Sequence, residues 1–367
     1  MKKSICKGET VETLKYFREE IDKVDNEILK LLNKRMEFVK EIGRIKHTSG
    51  TSIYRPEREK EILSRLKKLS NKETLKDAAI DAIFSEIFAI SRNLVFPERI
   101  AFLGPEGSYT HQAAQSRFGA MSRYLALNSI ESVFEVLANK EVKYGVVPIE
   151  NNTEGAVGVT LDCLGKNKDV KIVAEIFMDI HHSFATHLED VKSIKKIYSH
   201  PQGYNQCRQF LESHMLIDVE FIPTKSTAEA AKLASEDRTS AAICSHIAAK
   251  LYNLPILFEK IEDNLANRTR FLILSDFKNQ LGDKNKTSIL AMTEDKPGGL
   301  LKLLQIFNDE KINLTKIESR PVKQRDFRNV FYLDFEGHID DEHVQKVLEK
   351  AKSQHNIIWL GSYISEG

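Results

Sequence analysis

Four cysteines are spread through 367 residues, at 6, 163, 207 and 244, and no two of them form a C-x-x-C pair. That spacing excludes a structural zinc site of the paired-ligand kind and a dithiol redox motif. Charge of one sign is not in excess: lysine and arginine total 54 against 53 acidic residues, so no global field favours nucleic acid or an anionic membrane. Long apolar runs are missing as well. The basic start Met1-Lys2-Lys3-Ser4 has no apolar stretch behind it and does not read as a signal peptide; the expected compartment is a reducing cytoplasm. From Thr10 to about Leu94 glycine is almost absent and proline occurs once, at Pro56, which argues against turns and for long helices.

In that stretch Leu14, Phe17, Ile21, Val24, Ile28, Leu31, Leu32, Val39, Ile42 and Ile45 recur at spacings of three and four, predicting a helix to about Lys46. His47 to Pro56 reads as a connector, with two further helices near Glu57–Leu69 and Lys72–Leu94. Three helices of such unequal length bury little alone, so this segment is expected to dimerise around the long one. At Pro97 the texture becomes α/β. Strands are predicted at Arg99–Leu103, Tyr144–Ile149, Val170–Ile176, Ile194–Ser199, Ser240–Cys244 and Arg270–Leu274. Helices at Ser129–Ala138, Tyr204–Leu211 and Ser226–Ser235 between them imply a mostly parallel sheet. A polar linker, Asp276–Lys286, leads to a β-α-β-β-α-β order over 287–364, the ferredoxin-like arrangement. The expected domains are therefore an all-helical one at 1–96, an α/β one at 97–276 and an α+β one at 285–367.

The chemistry-bearing residues fall into three groups. Arg35 and Lys46 are 11 residues apart on the long helix, about three turns, and so nearly on one face; Arg18 is about 100° away around the axis and would serve a site on a second copy. Taken alone, the spacing of these cations favours a solvated helix face. Gly104-Pro-Glu-Gly107 follows a strand but lacks the third glycine of a dinucleotide loop and has no P-loop lysine. His181, His182 and His187 have no companion carboxylate at metal-ligand spacing, and His200 reads as orienting the Ser199 loop. No metal or cofactor is expected.

Three sets of motifs resemble known families. Leu14-x-x-x-Arg18-x-x-Ile21-x-x-x-Asp25, Leu31-Leu32-x-x-Arg35, Gly43-Arg44-Ile45-Lys46 and Tyr54-Arg55-Pro56-Glu57-Arg58-Glu59 resemble the all-helical chorismate mutases over residues 10–95. That resemblance implies that Arg18 reaches across a dimer and that Arg35 and Arg58, with Arg55 beside them, bind the substrate carboxylates. Lys46 would donate to the ether oxygen and Glu59 would hold the hydroxyl. The rearrangement of a dianion needs a compact conformer and donors where negative charge grows, which suits such a set. One position departs: where the family places Gln or Glu near the end of the third helix, the count reaches Val95.

Leu103-Gly-Pro-Glu-Gly107, Pro148-Ile-Glu-Asn151-Asn-Thr-Glu-Gly155, Tyr198-Ser-His-Pro-Gln202 with Gln206, and Asn267-Arg-Thr-Arg-Phe271 resemble the prephenate dehydratases over 99–274. The implied fold is two α/β lobes of the periplasmic-binding type around a cleft. Thr269 would contact the leaving hydroxyl, either as a hydrogen-bond donor or relaying a proton from Glu150. Arg270 would be an anion partner, and Thr153, Asn151, Ser199 and Gln206 would complete a polar pocket. Residues 287–364 resemble ACT domains. Gly298, Gly299, Leu300 and Leu301 would form the effector loop, and Glu318, Ser319, Arg320 and Pro321 the second signature. L-phenylalanine is the implied allosteric inhibitor. The combined expectation is an enzyme acting on chorismate and prephenate as a homodimer or tetramer, with no nucleic-acid or membrane partner. The alternative is a dehydratase whose helical segment is only a dimerisation or regulatory module.

Overall fold

The computed structural model describes residues 7–49, 55–70, 74–95, 99–120, 122–294, 296–321 and 329–366. Met1–Ser4, Cys6, Tyr54, Lys72 and Pro97 lie outside them, as does much of the connector. Two compact units are present, one made of 1–54 with 90–97 and one of 55–89 with 98–367.

In the first unit α1 runs Lys7–Ser49, longer than the apolar pattern at both ends. Most of its stripe is solvent-facing: Leu14, Phe17, Ile21, Val24, Ile28, Leu31, Ile42 and Ile45 are exposed, while Leu32 and Val39 are half-buried. Opposite α1 stand the last turns of α3, Asp77–Val95. The two helices approach closely at Gly43, where an added Cβ would lie 2.4 Å from a Val95 methyl.

The second unit begins with α2, Pro56–Leu69, which carries proline in its first turn, where the missing N–H costs nothing. The predicted start of α3 near Lys72 is too early: Thr74–Lys76 are not helical, and Asp77 opens the helix.

Two lobes follow. The first is built on β1 (Arg99–Leu103), β2 (Arg123–Leu127), β3 (Tyr144–Asn151), the short β4 (Gly155–Ala156) and β5 (Lys171–Asp179). Helices α4 (Tyr109–Phe118), α5 (Ile130–Ala138) and α6 (Gly158–Lys166) accompany them. The chain then crosses to a second lobe with β6 (Ser183–Thr186), β7 (Lys196–Ser199), β8 (Glu220–Pro223), β9 (Ser240–Cys244) and β10 (Ile256–Glu259). Its helices are α7 (Pro201–Asn205), α8 (Arg208–Ser213), α9 (Thr227–Glu236) and α10 (His246–Leu251). It returns through β11 (Arg268–Ser275) into the middle of the first sheet, giving orders β2-β1-β3-β11-β5 and β10-β6-β9-β7-β8. Serines 108, 129, 226 and 245 accept from the first-turn amides of α4, α5, α9 and α10.

The sheets are mixed, not mostly parallel. β11 runs antiparallel to both β3 and β5, and β6 runs antiparallel to β9 and β10. The physical reason is the double crossing: a strand that returns from the other lobe enters the sheet from the opposite end. The helix expected at Tyr204–Leu211 is broken in two between Asn205 and Arg208.

The third segment has β12 (Asn285–Met292), α11 (Gly299–Asp309), β13 (Leu314–Pro321), β14 (Asn329–Glu336), α12 (Glu342–Gln354) and β15 (Asn356–Ile364). The sheet order β13-β14-β12-β15 is ferredoxin-like. One face buries Ile289, Leu303, Phe307, Leu333, Phe335, Val347 and Leu348 under the two helices. Its other face joins the first lobe, where Leu290, Tyr332, Leu360 and Tyr363 enter the same core as Val147, Leu161 and Leu272. The linker is fixed too: Asn279 donates to the Val173 and Ser362 carbonyls at 2.6 and 3.0 Å.

Candidate active sites

Antiparallel register sets Thr269 on β11 opposite Asn151 at the end of β3. The Asn151 amide nitrogen donates to the Thr269 hydroxyl at 2.7 Å and to Asn267 Oδ1 at 2.8 Å. Its oxygen accepts from the Thr153 and Glu154 backbone amides at 2.8 and 3.2 Å, and from the Thr153 hydroxyl. Asparagine followed by its own side-chain turn is a stable local device, so a short polar sequence is enough to shape this loop. Asn152 pins the same loop to β11, accepting from Arg268 N at 2.9 Å. With its oxygen accepting from Asn151, the buried Thr269 hydroxyl keeps its own proton to donate.

The facing lobe offers Ser199, fully buried at the end of β7 and donating to His200 O at 2.9 Å. Gly203 in α7 brings that helix onto Ser199 and His182: a Cβ there would meet Ser199 Oγ at 3.3 Å and His182 Cε1 at 3.4 Å. Gln206 Oε1 lies 2.9 Å from His182 Nε2, and the Tyr109 hydroxyl 2.8 Å from His182 Nδ1. Burial holds the His182 imidazole below its ordinary pKa, against the opposing pull of the Gln206 hydrogen bond, and pushes the Tyr109 phenol well up. His181 and His182 occupy the first lobe crossing, and Glu262 the second. One Glu262 oxygen is 2.6 Å from His181 Nδ1, and the other accepts from His182 N at 2.8 Å. A Gln202–Glu154 side-chain hydrogen bond spans the cleft. The sequence offered no signal for Tyr109 or Glu262, and His182 lacked a visible partner because that partner is 80 residues away.

Glu150 and Arg270 are not brought to Thr269. Strand alternation turns both to the opposite face, toward the ferredoxin-like sheet. There Arg270 Nη1 lies 2.8 Å from Asp334 and 3.3 Å from Glu150, Nε is 2.8 Å from Glu175, and Nη2 donates to Tyr363 at 2.9 Å. Lys316 pairs with Glu150. The expected relay from Glu150 and the expected anion contact from Arg270 are corrected on this point.

On the helices, Arg18 is exposed and Lys46 half-buried on α1. Arg35 donates to Ser91 at 2.5 Å, a partner the sequence reading did not single out. On α2, Arg58 pairs with Glu61 at 2.6 Å, Arg55 with Glu57 at 2.7 Å, and Glu59 is half-buried. Val95 is occupied in packing over Gly43.

In the ferredoxin-like domain Gly298 has φ +82°, the left-handed conformation glycine adopts freely. Gly299 leaves no room for a side chain, its Cβ position being 2.4 Å from the Glu294 carbonyl. Its amide already donates to Lys296 O at 3.0 Å, so it is not available to a ligand. Leu300 is half-buried, while Leu301, Ser319 and Pro321 are exposed. Glu318 and Arg320 face the first lobe, Arg320 lying 3.4 Å from Asp162.

Comparison with known proteins agrees over nearly the whole length. Family models match for chorismate mutase type II at residues 17–95, prephenate dehydratase at 100–279 and the ACT domain at 287–353. A bifunctional chorismate mutase/prephenate dehydratase of Aquifex aeolicus is 40% identical, covering 96% of this chain and 98% of its own. Its counterpart in Pseudomonas aeruginosa is 38% identical, covering 95% and 97%. Among solved structures, the prephenate dehydratase of Arthrobacter aurescens in complex with L-Phe is 30% identical, with a TM-score of 0.67 over 73% of this chain and 90% of that one. The three segments match in the same order, and the chain belongs to the bifunctional chorismate mutase/prephenate dehydratase family.

Proposed function

We propose that this chain catalyses two consecutive steps of phenylalanine biosynthesis, chorismate to prephenate and prephenate to phenylpyruvate, under feedback inhibition by L-phenylalanine. Residues 1–96, 97–276 and 285–367 are assigned to mutase, dehydratase and regulatory domains. The observation that carries the reading is the Thr269 hydroxyl, held by Asn151 at 2.7 Å on the strand that returns from the second lobe.

In the second step the C–C bond to the ring carboxylate breaks, its electron pair enters the ring, and the ring hydroxyl leaves from the opposite carbon. Carbon dioxide and water are the by-products. Thr269 gives a hydrogen bond to the departing hydroxyl, and the proton that completes the water molecule comes from solvent. Asn151 and Thr153 order the loop beside it, and Ser199 with Gln206 forms the facing wall. Neutral donors suit this reaction, because a cation clamped on the departing carboxylate would hold back the group that must leave.

In the first step Arg18 from one chain acts with Arg35, Lys46, Arg58 and Glu59 of another. The exposed apolar stripe of α1 supports a homodimer, since a stripe of that length is covered by a second long helix. The effector is assigned to the Gly298–Leu301 and Glu318–Pro321 segments of the regulatory domain.

The test is Thr269→Ala assayed with each substrate. Dehydration is expected to fall about 10²–10⁴-fold, the usual cost of losing a donor to the reacting group, with mutase turnover unchanged. Phenylpyruvate formation from prephenate at the normal rate would remove Thr269 from the site.

A further inference from the structure

Behind the catalytic strand lies a buried charge cluster that the reaction itself does not use. Arg270, Glu175 and Glu150 come from the first lobe, and Lys286, Lys316 and Asp334 from the regulatory sheet, three cations against three anions. Arg270 and Glu175 are 4% and 0% exposed. Lys286 Nζ sits 2.8 and 3.1 Å from the two Glu175 oxygens. Ser288 donates to Asp334 at 2.6 Å and lies 2.7 Å from the Tyr363 hydroxyl, which in turn accepts from Arg270. Arg270 is thus held from both sides, and three of its contacts, to Asp334, Tyr363 and through Glu175 to Lys286, depend on the regulatory sheet.

Thr269 is the neighbouring residue on the same strand. Consecutive residues of a strand share one peptide and point to opposite faces, so the Arg270 anchor and the Thr269 hydroxyl sit on the same short piece of backbone. Register between β11 and β3 shifts at this point: Arg270 is opposite Glu150, while Phe271 is opposite Pro148. Bulges of this kind re-aim side chains next to active sites. Two more contacts join the regulatory sheet to the loop-bearing elements, Lys316 with Glu150 on β3 and Arg320 with Asp162 on α6.

We propose that Arg270 is a positioning residue for Thr269, and that the regulatory domain sets the dehydration rate by holding Arg270 through Asp334 and Tyr363. This rests on the assignment of Thr269 and of L-phenylalanine given above. An effector that favours a different position of the regulatory sheet then moves the Arg270 anchor, and with it the hydroxyl donor, without touching the cleft. Coupling of this sort is a difference in effector affinity between two states of the sheet.

Full-length Asp334→Asn and Tyr363→Phe variants test it, with kcat and KM for prephenate, L-phenylalanine binding by calorimetry, and mutase turnover as the control for folding. Both variants are expected to lower dehydratase kcat with little change in KM. Both should bind L-phenylalanine and yet be inhibited at least about fivefold less effectively, the lower end of ordinary allosteric coupling. Tyr363→Phe removes only a hydroxyl and keeps the experiment decisive if Asp334→Asn does not fold. Variants that fold, bind L-phenylalanine and keep both wild-type kcat and wild-type inhibition overturn the proposal. A wild-type chain that L-phenylalanine does not inhibit contradicts the effector assignment instead, and the kcat comparison still decides the positioning role.

Discussion

Two consecutive residues of one strand serve different partners here. Thr269 was singled out from its motif, and the structure gives it Asn151; Arg270 came from the same motif and faces the other way. A sequence motif names neighbours along the chain but not the side of the strand each one takes, and only the pairing of β11 with β3 and β5 decides that. Val95 is the comparable case on the helices. Its methyl groups fill the space above Gly43, so the position where the family resemblance leads one to expect a donor is used for close helix packing. In the proposed mutase Lys46 is then left as the donor to the ether oxygen. Val95→Gln is expected to raise mutase kcat/KM by up to about 10²-fold, the worth of one well-placed donor to developing charge, while dehydration stays constant. An unchanged mutase rate in a folded Val95→Gln variant would mean that the donor is supplied elsewhere.

Elements with a strong period of their own were readable in advance. The C-terminal β-α-β-β-α-β order is one of them, its strands and helices following each other as the sequence pattern predicts. Missed were β2, β6, β8 and β10, strands of four or five residues; β2, β8 and β10 are only partly buried, and their apolar signal is correspondingly weak. The crossing segments were read as isolated histidines. His182 is buried there with its pKa lowered from 6.5, so the native state resists protonation while the unfolded chain accepts a proton near pH 6.5. Stability from this site is therefore fully present above about pH 6.5 and declines as pH falls toward the lowered native value. Urea midpoints measured from pH 7.5 to 5 should fall on the acid side, and His182→Gln should show a shallower slope; parallel slopes would assign the acid limb to other groups. At the same scale, α1 leaves its apolar stripe uncovered within one chain. Light scattering should give a dimer, and Ile28→Glu should shift it to monomer with loss of mutase activity.

No single segment of sequence encodes the joint between the ACT segment and the dehydratase segment. Its charges come from positions 150, 175, 270, 286, 316 and 334, which meet only after the two sheets stack face to face. The three changes of texture along the chain were legible, whereas the dependence of one segment on another was not. Removing one member of a buried, balanced cluster leaves an opposite charge uncompensated, which typically costs about 3–5 kcal/mol. Glu175→Gln should accordingly lower the thermal midpoint of the full chain and weaken dehydration; a midpoint within error of wild type would show the cluster to be electrostatically idle. Whether the whole molecule is one bifunctional catalyst is tested most directly by a single assay of the purified chain. Chorismate and prephenate are supplied separately and phenylpyruvate is followed. The account predicts phenylpyruvate from both substrates, with L-phenylalanine suppressing it. Product from prephenate alone would reduce the helices to a dimerisation module, and no product from either would contradict the account.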